Sequence, residues 1–214
     1  GRPPARVGCD HGAFAEPVWR VVSSDSSAGT SRLTLLGRGA RWRQLTIRKT
    51  FTLSPRTAAV AVDYQITNTA TTAEVLRPNF TFTQALSRAA RSYFPVPGGV
   101  QERGLLDSPD VSSFEPAAGW LGAIMGGSDG LVVAGSRDQV RAFHASNGAA
   151  GSLDWVARKA ALGAGQTIDA HFVLGAFHGL DGINAADAGA AVEAKLVDGK
   201  LELGVASFED TAAS

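Results

Sequence analysis

From residue 41 to 53 apolar and polar side chains alternate. Leu45, Ile47, Phe51 and Leu53 fall on one face and Thr46, Arg48, Thr50 and Thr52 on the other. A period of two marks a half-buried strand. Ser54-Pro55-Arg56-Thr57 supplies turn residues, after which Val60, Val62, Tyr64 and Ile66 alternate with Ala59, Ala61, Asp63, Gln65 and Thr67. The two runs predict a long β-hairpin. Asn68–Thr72 reads as a polar turn and Glu74–Ala85 as a third extended segment with Phe80 and Phe82 on one face.

Ser87–Gly119 is rich in Pro, Gly and Asp and lacks a sustained period, the pattern of a connection that rims a site or lies on a sheet. Short β runs return at Trp120–Met125, Leu131–Ala134 and Gln139–His144. Leu153–Leu162 and Gln166–Leu174 read as a second hairpin around Gly163-Ala164-Gly165. In it Ile168, Ala170, Phe172 and Leu174 face one way and His171 the other. Asn184–Lys195 is dense in helix formers and predicts the one helix. Val197–Val205, interrupted by Asp198-Gly199, predicts a closing hairpin. Long strands joined by Gly and Pro turns point to a large antiparallel two-sheet β-sandwich with at most one short helix near the C-terminus. The expected organisation is one domain over 1–206, with 207–214 a tail or linker.

Length and charge narrow the function classes. A chain of 214 residues with 44% hydrophobic content holds a full core in one domain. Lys+Arg and Asp+Glu stand at 20 each, so no net field favours nucleic acid or an anionic membrane, and neither is expected as a partner. Gly and charged residues interrupt every apolar run before it reaches the length of a spanning helix. The opening Gly-Arg-Pro-Pro, with no initiator Met or signal segment, reads as a mature or excised piece of a longer protein. The Ala- and Arg-rich composition looks bacterial. Cys9 is the single cysteine, which leaves no internal disulfide and no thiolate pair for a metal. The spacing of His144, His171 and His178 fits no zinc pattern either, so no metal or other cofactor is expected. There is no Gly-x-Ser-x-Gly elbow and no phosphate loop.

Asp10-His11-Gly12-Ala13-Phe14, followed by Trp19, together with Phe51-Thr52-Leu53, the run Val62–Thr69 and Asn79-Phe80-Thr81-Phe82, resembles the galactose mutarotase-like (aldose 1-epimerase-related) superfamily. The likeness covers roughly the first half of the chain. It implies a β-supersandwich with a sugar cleft on the concave sheet. In that family one histidine binds the ring sugar, a second protonates the ring oxygen and a carboxylate removes the anomeric proton. His11 matches the first histidine, while the positions expected for the second hold Phe80 and Ser87. No C-terminal glutamate falls on a matching motif, so the catalytic residues are unassigned.

The candidate sugar contacts are His11, Trp42, Asn79, Arg91, Tyr93 and Glu102. His11 reads equally as a loop histidine held by the backbone. Trp42 is opposite the Leu45/Ile47 face, whereas Trp120 and Trp155 read as core. Arg91, Tyr93 and Glu102 are expected on a cleft-edge loop. The function expected is a noncatalytic carbohydrate-binding or scaffolding sandwich of a larger polysaccharide-acting protein, secreted or periplasmic, with carbohydrate and neighbouring domains of the same polypeptide as partners. The alternatives are part of the catalytic architecture of a glycoside hydrolase or polysaccharide lyase, and a divergent aldose 1-epimerase.

Overall fold

The alternating runs pair as antiparallel ribbons. A computed structural model describes residues 19–38, 44–83, 90–104, 112–146 and 152–209. β1 (Arg20–Ser27) folds back on β2 (Thr30–Arg38), and β3 (Leu45–Leu53) on β4 (Ala59–Asn68). The predicted turn closes the second pair, with Thr57 N–H donating to the Ser54 carbonyl at 3.3 Å. The third expected segment splits at Arg77-Pro78 into β5 (Glu74–Leu76) and β6 (Asn79–Thr83), which enter different sheets. Pro78 has no N–H to continue a ladder.

The segment expected to be irregular contains the β7 (Arg91–Val96) and β8 (Gly99–Gly104) hairpin and the short β9 (Ser112–Phe114). β10 (Trp120–Gly126), β11 (Asp129–Gly135) and β12 (Val140–Ser146) fall where the short runs place them, and a single 3-10 turn at Arg137–Gln139 joins the last two. β13 (Ser152–Ala157), β14 (Ala160–Leu162) and β15 (Thr167–His178) do not form the expected second hairpin. The turn at Gly163–Gly165 is present, but β13 joins β12 and β6, β14 joins β5, and β15 lies between β4 and β11. Alternation sets which face a strand buries and leaves its partner open.

The expected helix is also absent. Its residues form β16 (Ala185–Ala186) and β17 (Ala190–Val197), the latter paired along its whole length with β18 (Lys200–Ser207). Ala191 and Glu193 turn inward while Val192 and Ala194 turn outward, so the burial period is two. Helix propensity differs by under about 1 kcal/mol per residue and yields to strand pairing of this length. The β17–β18 turn is the predicted Asp198-Gly199, both at positive φ (49° and 76°), as the tight right-twisted hairpin turn demands.

Among the described residues nine strands make the main sheet in the order β1-β2-β3-β4-β15-β11-β10-β7-β8, and four make a second in the order β6-β13-β12-β9. Their facing sides enclose one core that includes Phe80, Phe82, Phe94, Phe143, Trp155 and Phe172. The far face of the main sheet carries a second core, where Trp120, Val132 and Phe177 are covered by Leu180, Ile183, Ala191 and Phe208. The β16–β18 ribbon and the segment before it thus form a third layer over part of the large sheet. Phe208 lies flat on Gly175, where a Cβ would come within 2.3 Å of the ring.

A charged clamp fixes this third layer. Glu193, only 7% exposed, accepts from Asp181 N–H at 3.2 Å and pairs with Lys195 Nζ at 3.1 Å. Lys195 also reaches Asp181 at 2.9 Å. The hydrogen bonds from Lys195 and Ser128 hold the Asp181 carboxyl below its ordinary 3.8. Asp181 and Glu193 likewise hold the Lys195 ammonium above its ordinary 10.5.

Two measurements follow. Phe172→Ala should cost about 3–5 kcal/mol in urea unfolding, whereas His171→Ala, its neighbour on the opposite face, should stay within about 0.5 kcal/mol; equal losses would contradict the assigned facing. Lys195→Met should lower stability at neutral pH, since it removes the cation that Asp181 and Glu193 share. A carboxyl lowered on folding stabilises above its ordinary value and loses that contribution below it. The gap between wild type and variant should therefore narrow as pH falls through 3.8, and a gap that widens there would refute the clamp.

Candidate functional site

Of the six residues singled out from sequence, His11 and Trp42 lie outside the described residues. Asn79 is exposed at the start of β6, an edge strand of the four-stranded sheet. Its neighbour Phe80 enters the core, so Asn79 faces away from the main sheet. The other three do come together, on paired strands rather than on a loop: Tyr93 of β7 is opposite Glu102 of β8. Arg91 contacts Glu102 at 3.4 Å and donates to the Asp181 carbonyl, to which Tyr93 Oη also donates at 3.4 Å. Tyr93 is 3% exposed and its phenol is pushed up by burial, with the Glu102 charge adding to the rise. The trio braces the segment that caps the second core.

The open part of the same sheet face holds a different set of residues. A cleft of about 860 Å³ runs across β2, β3, β4 and β15 toward the third layer. Its floor is set by the strand pleat. On β4, Val62 and Ile66 are buried on the core side, which turns Asp63 and Gln65 outward. On β15, Phe172 enters the core and leaves Asp169 and His171 on the cleft side. Register then aligns them: His171 is opposite Asp63, Asp169 opposite Gln65, and Thr50 of β3 stands beside Asp63. Arg32 of β2 lines one end, while Arg137 and the third-layer residue Asp187 line the other. Asp187 Oδ1 accepts from Gly189 and Ala190 N–H at 2.7 and 3.0 Å, which fixes its carboxylate on a turn.

The central contact is His171 Nδ1 to Asp63 Oδ1 at 2.7 Å, with both side chains about half exposed at 59% and 50%. A carboxylate at this distance holds the proton on Nδ1, which leaves Nε2 as the acceptor directed away from Asp63. The cleft therefore offers a basic ring nitrogen, carboxylate acceptors, an amide and guanidinium donors within one concave surface. Its two guanidiniums and three carboxylates nearly balance, so it carries no strong net charge. Trp120, at 4% exposure, is part of the floor and presents no free ring face.

His178 makes the same contact with Asp129, at 2.7 Å, beside an exposed hairpin end. His144 is half-buried on β12, and burial pushes its imidazole down. Among the described residues no group of three or more His, Cys, Asp or Glu is placed to hold a metal ion.

The sequence puts His171 on the polar face of its strand but carries no sign of Asp63 as its partner. The two are 108 positions apart and meet only because β15 inserts beside β4. That insertion is the feature that the local pattern left open.

No protein-family model matches the chain, and no curated protein matches it by sequence. Solved structures do match. A galactose mutarotase-like protein from Clostridium acetobutylicum aligns with a TM-score of 0.57 at 7% identity, over 75% of this chain and 67% of that one. A galactose mutarotase-like protein from Lactobacillus casei ATCC 334 gives 0.53 at 10% identity, over 74% and 72%. A TPR-domain containing protein from Parabacteroides distasonis ATCC 8503 gives 0.58 at 12% identity, over 77% of this chain and 35% of that one. The chain thus has the galactose mutarotase-like fold that its sequence resembles. It spans from 35% to 72% of the length of these structures.

The His171–Asp63 contact predicts a spectroscopic state. Long-range proton–nitrogen NMR at a pH where the ring is neutral should find the proton on Nδ1 in the wild type and on Nε2 in Asp63→Ala. An unchanged tautomer in the variant would show that Asp63 does not orient the ring.

Proposed function

We propose that this chain is a carbohydrate-binding β-sandwich whose saccharide site is the cleft over β4 and β15. The observation that carries the reading is the in-register row Thr50, Asp63 and His171, flanked by Gln65 and Asp169, on the floor of a cleft of about 860 Å³. Sugar hydroxyls both donate and accept, so a site for them needs carboxylate and imidazole acceptors beside amide and guanidinium donors, spaced a few ångströms apart. Adjacent strands supply that spacing, at about 4.8 Å between rows. The near cancellation of charge favours a neutral saccharide over a sulfated or uronate polymer, which would seek a cationic surface. The fold supports the reading as an analogy, because two structures that share it are named galactose mutarotase-like. Action beside other domains of one polypeptide is supported by the Parabacteroides protein, in which the matched part is 35% of the chain.

One observation favours a second reading, in which the cleft also transfers a proton. A carboxylate-held imidazole with a free Nε2 is the arrangement that general acid–base chemistry uses. His171 would then act on a saccharide oxygen or carbon, with Asp63 as its positioning residue.

A glycan-binding screen followed by calorimetry separates these readings. The wild type should bind a neutral glycan, and His171→Ala and Gln65→Ala should each weaken it about tenfold, which is about 1.4 kcal/mol, while the thermal midpoint stays unchanged. Mutarotation of glucose and galactose, followed in the same preparation and lost in His171→Gln with binding retained, would establish the proton-transfer reading. A folded protein silent across the screen would refute the site.

A further inference from the structure

A second opening adjoins the cleft. Between the two sheets lies a cavity of about 230 Å³ walled by Ile66, Phe80, Trp155, Ile168 and Phe172. Three of these residues are aromatic, and their rings rest on one another, with Phe172 at 4.9 Å from Phe80 and 5.2 Å from Trp155. Ile168 and Ala170 share the core face of β15 with Phe172. They remain only partly buried, while Phe172 is 1% exposed, because the cavity lies where their packing partners would be. An apolar cavity near 150 Å³ stays dry and takes up benzene, so this one has room for a substituted ring. Its mouth carries Asp138, Asp169, Arg158 and Lys159, all exposed. Two acidic and two basic groups cancel, and the site asks for no ionic head group.

The cavity and the cleft meet around one strand edge. β11 ends at Gly135, opposite Phe172, so residues 167–171 of β15 extend past it with no strand on that side among the described residues. The gap is bridged by Gln139, whose Nε2 donates to the Asp169 carbonyl at 3.2 Å. Gln139, Asp169 and Ala170 line both openings. A group attached to a molecule seated beside His171 therefore has a short route over this edge, from a polar surface into an aromatic one.

We propose that the cavity is an aglycone subsite, so that the ligand is a neutral saccharide bearing a ring-sized apolar substituent, its sugar in the cleft and its substituent between the sheets. This rests on the saccharide reading of the cleft and adds to it the class of glycoside.

Calorimetry with paired methyl and phenyl β-glycosides of glucose, galactose, mannose and N-acetylglucosamine tests both parts. The phenyl member of the bound pair should bind at least about tenfold more tightly, about 1.4 kcal/mol. Ala157→Leu and Ala160→Leu, each extending a side chain from the cavity wall, should erase that preference and leave methyl glycoside affinity unchanged. Both variants are checked by thermal midpoint, and one that folds suffices. Methyl and phenyl glycosides binding equally, or a preference that survives in the filled variants, would overturn the subsite and leave the cleft reading standing. Failure of every methyl and phenyl glycoside to bind would overturn the cleft reading and the subsite together.

Discussion

Phe172 touches four other aromatic rings, those of Tyr64, Phe80, Phe82 and Trp155, at centroid distances between 4.9 and 5.9 Å. Tyr64 and Phe172 come from the main sheet and the other three from the four-stranded sheet, so this cluster joins the two layers. Edge-on ring contacts add about 0.5–1.5 kcal/mol each to the burial itself. The cluster also fixes which way two strands face. With Phe172 inward, His171 must point outward, and with Tyr64 and Val62 inward, so must Asp63. A one-residue slip of either strand would put an imidazole or a carboxylate into an aromatic core. The His171–Asp63 contact is thus held in place by packing on the other side of the sheet.

The third layer turns an open sheet face into a cleft. The main sheet presents one continuous far face from β1 to β8, and among the described residues the β16–β18 ribbon and its flanking segments cover the part made by β7, β10, β11 and the C-terminal half of β15. Where the ribbon stops, at Asp187, the polar half of the face begins. The ribbon is held by Phe208 on Gly175 and by Glu193 within the Lys195–Asp181 clamp. Arg91 and Tyr93 reach the same segment from β7. The trio picked out from sequence therefore braces the segment before the ribbon and does not line the cleft.

Strand positions and facing were legible in the sequence wherever alternation was clean: β3, β4, β10, β11, β12, β15 and the Asp198-Gly199 turn fall where the pattern places them. Partners were not. Nothing local distinguishes a β15 that pairs back on β13 from one that inserts between β4 and β11, because the same inward set satisfies both. The Ala-rich 184–195 stretch misled for a related reason. Alanine favours helix weakly and strand hardly at all, and the register with β18 outweighed it. His171 was visible as an outward histidine, yet its meaning depends on Asp63, and only the sheet order brings the two together.

The unequal lengths of β11 and β15 shape the site further. β15 has 12 residues and β11 has 7, so past Gly135 β15 keeps β4 on one side and, among the described residues, has no strand on the other. A strand edge left open in the middle of a sheet would normally be filled by another strand, since its backbone groups need partners. Here the chain instead leaves β11 through Ser136 and the Arg137–Gln139 turn, crosses to the four-stranded sheet as β12, and offers one side-chain amide, that of Gln139, to the exposed edge. The crossing links the two layers and leaves the space beside it unfilled. Beside it Gln139, Asp169 and Ala170 line both the cleft and the aromatic-walled cavity. The place where the chain crosses between the two sheets is therefore also the place where the polar cleft and the apolar cavity share their lining.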